Sequence, residues 1–284
     1  MADVNLAYAM SLPPQDAVAY FQSKGFAITW DWHEQWQEAQ AQAFTVAKAT
    51  RLDILQDIRD ALDKVLAQGK TEAWFAKELT PVLQAKGWWG KQEHVDAETG
   101  EVSQVQLGSP WRLQTIFRTN VQTAYMAGRF QRQLENVDDR PYWKYVAILD
   151  SRTRPSHRAL HGKVFRYDDP FWQYFYPPNG WGCRCRVVAL SADDIEVRGI
   201  KVDMSEGKLG TAMRLVSEKS GEMREVATYT TQHPDDRTGK RKIVVSPDVG
   251  WSYNPGAAAW VPDIKRYIGD LAKLAEKELA GAAA

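Results

Sequence analysis

Two cysteines, Cys183 and Cys185, stand one residue apart in the segment PPNGWGCRCR, and they are the only thiols in the chain. In a strand, residues two apart point to the same face, so both thiols would face one way and Arg184 the other. His157 and His161 lie upstream, four residues apart, a spacing that places both rings on one side of a helical turn. Two nitrogens and two sulfurs are the ligands of many structural zinc sites.

A simpler interpretation competes with metal binding at these four residues. Cys-x-Cys is a less usual zinc spacing than Cys-x-x-Cys, and the chain has no other cysteine that could replace either one. Reduced thiols otherwise pack as small hydrophobic groups, and a disulfide between such close neighbours would be strained. We therefore expect packed thiols and no cofactor, with zinc held by His157, His161, Cys183 and Cys185 as the alternative.

Charge gives the same region two further interpretations. Between residues 151 and 186 there are seven basic and two acidic residues, whereas the whole chain balances 36 against 36. Any contact with nucleic acid must therefore be local, and arginine forks suit phosphate oxygens. Arg152, Arg154, Arg158 and Arg184 are the candidates for contacts with DNA phosphates. The same arginines could instead tie loops together by binding Asp150 and backbone carbonyls.

Catalysis is not expected. The sequence has no nucleophile elbow, no Walker-type phosphate loop and no His-Glu-x-x-His motif. A cysteine beside a histidine that Asp150 orients would suit nucleophilic chemistry, which keeps an enzyme as a minority alternative. No catalytic residue is predicted.

The first third of the chain is predicted to be helical. PPQDAVAYFQSKG, DWHEQWQEAQAQAFTVAKA, RLDILQDIRDALDKVLAQGK and TEAWFAKELTPVLQAKG all show helical spacing of apolar residues. Gly69 is expected to end the third helix, Thr71 to cap the fourth, and Pro81 to break or kink it. After a polar stretch with a loop or small hairpin around DAETGE, Ser109 and Pro110 begin a long helix.

Short strands follow from YWKYVAILD onward, at GKVFRY, CRCRVVAL, REVATYTTQ and RKIVVS, and VPDIKRYIGDLAKLAEKELAGAAA predicts a C-terminal helix. The fold class is α+β, with a compact mixed module behind a helical N-terminal region. The predicted divisions are 1–108, 109–200 and 201–284. No apolar run approaches eighteen residues and no signal peptide is visible, which predicts a cytoplasmic protein without a membrane segment.

Several of these segments resemble one known family. ILDSRTRPSHRALHGKVF, PFWQYFYPPNGWGCRCRV, the helix IFRTNVQTAYMAGRFQ and the later DVGWSYNPGAA are similar to the Mu F-like head morphogenesis proteins, which are minor head proteins of tailed phages. The motif residues of the resemblance are Arg118, Thr119, Asp150, Thr153, Arg154, His157, Gly162, Pro178, Cys183, Arg184 and Cys185.

The resemblance implies a minor capsid protein that associates with the portal during head assembly and DNA packaging, and that can be ejected with the DNA. Its expected partners are the portal protein and other head proteins, with weak non-specific DNA contact. Its expected location is the host cytoplasm during assembly and then the virion, in the capsid interior or near the portal. Residues 1–108 would be the docking region. An enzyme or toxin-like effector, and a non-specific DNA-binding accessory factor, are the alternatives.

Overall fold

A computed structural model of the chain describes residues 15–95, 100, 102–233 and 241–259. The helices are α1 (Gln15–Ser23), α2 (Ala39–Gln42), α3 (Leu52–Gln68), α4 (Glu72–Ala85), α5 (Pro110–Leu134), α6 (Pro155–Leu160), α7 (Phe171–Phe175), α8 (Ala192–Val197) and α9 (Pro255–Ala259). The strands are β1 (Gly25–Phe26), β2 (Ala43–Phe44), β3 (Lys91–Val95), β4 (Val102–Gln106), β5 (Tyr142–Val146), β6 (Val164–Arg166), β7 (Arg186–Leu190), β8 (Leu209–Ser217), β9 (Glu222–Gln232) and β10 (Lys242–Val245).

Helix α3 ends and helix α4 begins at the residues that the sequence predicted. Gly69 ends α3 in the left-handed conformation (φ 63°), which glycine adopts without a Cβ penalty. The Thr71 hydroxyl accepts a hydrogen bond from the Trp74 N–H (3.2 Å) and caps α4. Pro81, predicted to break or kink the helix, does not break it, because α4 continues to Ala85. Packing of this helix on the core outweighs the one backbone hydrogen bond that proline cannot donate.

The first hydrophobic core joins α1, α3 and α4 to one face of α5. Leu113, Ala124 and Ala127 of α5 are buried in this core. Gly128 lies where α1 crosses α5, and a Cβ there would stand 2.8 Å from the backbone nitrogen of Ala17. Only glycine allows the two helices to approach this closely.

The second core lies under the antiparallel sheet β6-β5-β7 and is dominated by aromatic side chains. Trp143 of β5 is buried at its centre, and helix α7 adds further rings. Tyr229 of β9 packs on Phe165 of β6 (5.9 Å between ring centroids). The sheet β10-β9-β8 thereby contacts the same core through β9.

Helix α5 contributes to both cores, since Met126 and Phe130 pack in the second one. The Arg112 N–H donates to the Ser109 hydroxyl (3.2 Å), which confirms the predicted cap. The α+β class is confirmed. The divisions at 108 and 200 stay predictions, and a cut at residue 108 would expose the face of α5 that the first core covers.

The helix predicted over DWHEQWQEAQAQAFTVAKA is wrong. This stretch forms a 3-10 turn (Trp32–Glu34), the short helix α2, and β2, which pairs with β1 in parallel. Trp32 packs edge-on against Trp181 (6.1 Å between centroids), so contacts with a distant segment override local helical spacing.

The remaining predictions concern the hairpin after α4, the later strands, the C-terminal helix and the absence of a membrane segment. β3 and β4 pair in antiparallel, which agrees with the hairpin alternative around DAETGE, and residues 96–99 and 101 between them lie outside the described residues. β8 was not predicted, because its alternation is weak and one face is solvated. The predicted C-terminal helix follows residue 259 and lies outside the described residues. Within the described ranges, no helix is both long and apolar enough to span a membrane.

Candidate functional site

Asp150 organises the loop between β5 and α6. Arg184 donates to both of its carboxylate oxygens (2.8 and 2.7 Å), and the Thr153 hydroxyl donates to one of them (3.1 Å). The Arg184 hydrogen bonds hold the pKa of Asp150 well below its usual range, although desolvation opposes this shift. The two-pronged contact ties this loop to the segment before β7.

The other arginines of the basic patch also bind within the module. Arg154 donates to the Trp181 carbonyl (2.7 Å) and pairs with Asp248 (3.1 Å). Arg158 donates to the Asp150 carbonyl (3.3 Å), whereas the Arg152 side chain is 73% exposed. These contacts favour the loop-tying interpretation. Phosphate binding stays a prediction, and any DNA contact should be weak, independent of sequence and lost at high salt.

Cys183, Cys185 and His157 meet beneath this loop. The Nδ1 atom of His157 lies 3.4 Å from the Sγ atom of Cys185 and 3.8 Å from that of Cys183. All three side chains are buried, and their ligand atoms lie within 4.8 Å of one another. In the part of the chain that the structure describes, no other three His, Cys, Asp or Glu side chains gather in this way.

His161 does not join this group, so only three of the four side chains of the zinc alternative meet. Helix α6 ends at Leu160, and His161 has left the helical conformation (φ −57°, ψ 130°). The four-residue spacing therefore no longer places its ring beside that of His157. The Nδ1 atom of His161 instead lies 3.1 Å from the backbone nitrogen of Ala147.

The two thiols differ in acidity. A hydrogen bond from Cys185 lowers the pKa of Cys183 well below its ordinary value, burial opposes this, and His157 adds to the lowering. The pKa of Cys185 is raised, first by its hydrogen bond with Cys183 and then by burial.

The thiols are not inside a strand, as the sequence suggested, but in the segment just before β7. The Gln122 amide of α5 donates to the Cys185 carbonyl (2.9 Å). Upstream, Tyr145 donates to the Asn179 side chain (2.9 Å), and the Pro177–Pro178 peptide bond is cis. Contacts from β5 and α5 therefore fix the backbone on both sides of the thiols.

Arg118, Thr119 and Gly162 of the motif lie outside the thiol cluster. Arg118 pairs with Glu72 of α4 (2.8 Å), and the Thr119 hydroxyl is buried without a partner among the described residues. The Gly162 N–H donates to the Tyr145 carbonyl (2.9 Å) where the chain turns into β6. None of these residues contacts the thiol cluster directly in the described hydrogen bonds.

Sequence reasoning missed the residues that the segment DVGWSYNPG brings to the module. Asp248 pairs with Arg154, and its N–H donates to the Asn179 carbonyl (3.0 Å). The Asn254 side chain caps α9 by accepting from the Gly256 N–H (3.0 Å). The sequence offered the quoted motif as a signal, but it did not show which residues the segment contacts.

A cleft of about 770 Å³ lies beside the module. Trp111 and Trp181 line it together with Lys48, Arg112 and Arg118, and no acidic side chain does so among the described residues. Trp111 is 69% exposed. The cleft is therefore lined by aromatic and basic side chains, of which Lys48 and Arg118 are paired with Asp31 and Glu72.

The fold and the site define an α+β protein in which a Cys-Arg-Cys segment is tied to an Asp-centred loop. Residues 56–188 match the family model described as Phage Mu protein F like protein. This part of the chain is therefore a Mu F-like domain.

Two relatives align along most of the chain. The putative capsid assembly protein F of Escherichia phage Mu is 48% identical over 262 residues, which cover 92% of this chain and 58% of that protein. The Mu-like prophage FluMu F protein of Haemophilus influenzae is 48% identical over 237 residues, which cover 84% and 55%. The chain thus spans somewhat more than half the length of these relatives. No solved structure matches it.

Proposed function

We propose that this chain acts in head morphogenesis of a tailed phage or prophage, as a minor capsid protein that docks to the portal. The observation that carries the proposal is 48% identity, over 92% of the chain, to the putative capsid assembly protein F of phage Mu. The proposed role requires no catalytic step. It places the protein in the host cytoplasm during assembly and in the virion afterwards.

The helical N-terminal region supports a docking role through exposed aliphatic side chains on a braced helix pair. Leu52 at the start of α3 is 64% exposed, and Val82 of α4 is 38% exposed. Lys86 pairs with Asp53 (3.3 Å) and so links the two helices beside these side chains. Apolar side chains on a rigid helical surface are suited to docking in a partner's groove.

Point substitutions test this proposal better than truncation. Deleting the N-terminal helices would strip the buried face of α5, so loss of portal binding could reflect unfolding. We expect the double variant Leu52→Asp, Val82→Asp to recover at least about tenfold less portal protein in co-purification, equivalent to ~1.4 kcal/mol of binding free energy. Val197→Asp is the matched control, because Val197 is 85% exposed and lies in α8.

Circular dichroism of each variant shows whether it is folded. Equal portal recovery by a folded double variant would refute docking through α3 and α4. If the native chain recovers neither portal nor any other head protein from infected cells, and a phage lacking it still forms heads, the assembly role itself is wrong.

A further inference from the structure

We propose that Cys183, Cys185 and His157 form a three-ligand site for a zinc-class divalent ion. The three side chains come from two segments, α6 and the stretch before β7, that are separated by more than twenty residues. An ion held between them would cross-link these segments beneath the Asp150 loop. This inference is independent of the role in head assembly.

The distances match those around a single ion. Zn–S bonds of about 2.3 Å and Zn–N bonds of about 2.0–2.1 Å, at tetrahedral angles, place sulfur and nitrogen about 3.6 Å apart. The observed separations from His157 Nδ1 are 3.4 Å to Cys185 and 3.8 Å to Cys183. A small displacement of the ring towards Cys183 would make both distances equal to the ideal value.

Burial and hydrogen bonding point the same way. All three side chains are buried, and the two cysteines belong to the second core together with Tyr145 and Ala147. The Nε2 atom of His157 has no hydrogen-bond partner among the described residues, so the contacts of this ring with polar groups are those of Nδ1 with the two sulfurs. Such a buried polar cluster is stabilised when an ion satisfies its lone pairs.

The ligand types select the ion. Thiolate and imidazole together favour zinc over magnesium or calcium, which take oxygen ligands. Three protein ligands leave one tetrahedral position for a small oxygen ligand such as water. The Arg184 guanidinium is engaged by both oxygens of Asp150.

The test uses the full chain, made metal-free with a chelator in reducing buffer, and Co²⁺ as the spectroscopic probe. We expect saturation at about one Co²⁺ per chain. Thiolate-to-cobalt charge-transfer absorption should appear and be displaced by Zn²⁺. Zinc should also protect both thiols from alkylation and raise the melting temperature. Absence of saturable binding with a charge-transfer band in the folded native chain, or isolation of the cysteines as a disulfide, would overturn the proposal.

Variants locate the ligands. Cys183→Ala, Cys185→Ala and His157→Ala should each weaken Co²⁺ binding by at least about a hundredfold and remove the melting shift caused by zinc. His161→Ala is the matched control, since it removes a nearby histidine outside the cluster, and it should keep native affinity. A folded His161→Ala protein that loses binding as completely as His157→Ala would overturn the three-ligand assignment. Because the native-chain titration needs no variant, poor folding of any of them leaves the proposal testable.

Discussion

Replacement of Trp143 tests how far the second core depends on its central ring. Trp143 is fully buried, and its centroid lies 5.6 Å from that of Phe130, 5.8 Å from Trp172 and 5.9 Å from Tyr176. Trp143→Ala removes these three aromatic pairs and a fourth with Tyr167 (6.3 Å) and leaves a cavity, so it should lower the free energy of unfolding by about 3–5 kcal/mol. This is a large part of the stability of an ordinary domain.

Trp143→Phe separates ring packing from indole chemistry. The indole N–H of Trp143 has no acceptor among the described residues. Phenylalanine keeps an aromatic ring and removes this unpaired donor, so the expected cost is at most about 1.5 kcal/mol. Urea unfolding followed by far-ultraviolet circular dichroism in reducing buffer measures both variants.

Trp111→Ala is the control, because Trp111 is largely exposed, and it should change stability by no more than about 0.5 kcal/mol. If Trp143→Phe costs as much as Trp143→Ala, the indole N–H makes a contact that matters and the packing argument is wrong. A cost below about 1 kcal/mol for Trp143→Ala would show that the ring is not central to the core.

Three further predictions concern charge and close packing. Burial lowers the pKa of Lys24 to about 7, against about 10.4 in an unfolded chain. From about pH 7 to about pH 10 the unfolded state therefore binds one more proton than the folded state, and stability rises with pH across that window. Lys24→Met should flatten this rise in urea titrations at several pH values, and an unchanged slope would contradict the prediction. Asp150→Asn should lower the melting temperature by about 2–4 °C. This difference should vanish in an Arg184→Ala background, since Arg184 is the main partner of the carboxylate. In the native background it should shrink as the pH falls below about 4, because the unfolded state then binds a proton at Asp150 that the folded state, with its lowered pKa, does not. A full effect without Arg184 would exclude this pairing as the cause. Gly256→Ala should cost about 1–3 kcal/mol, because the new Cβ would stand 2.5 Å from the Cβ of Phe130, and denaturant unfolding with no loss of stability would show that α9 can shift.

The sequence predicted best where signals are local. Helix α3 has a continuous apolar face and ends at a glycine in the left-handed conformation, and α5 begins at a serine cap followed by proline. Both patterns are complete within one element, so tertiary contacts reinforce them rather than compete. The stretch around Trp32 shows the reverse, because its indole packs against Trp181, about 150 residues away in sequence, and the local spacing was misleading.

The candidate site was predictable in its residue types but not in its membership. Spacing placed His161 beside His157 on the assumption that a helix spans both, and α6 ends one residue too early. Asp248 could not be predicted, because it reaches Arg154 through a segment that follows the whole β8–β9 hairpin. Which residues meet across such a separation depends on packing of the two cores rather than on any local pattern.

Helix α5, which is buried on one face by the first core and on another by the second, also determines how the protein opens. Neither core can come apart without exposing part of this helix, so the two should unfold in one cooperative transition. Backbone amides near the middle of α5, around Ala124 to Ala127, should then exchange their hydrogens with solvent only through global unfolding and be among the slowest in the chain. Amides at the hairpin of β3 and β4, which is mostly solvated, should exchange early through local fluctuations.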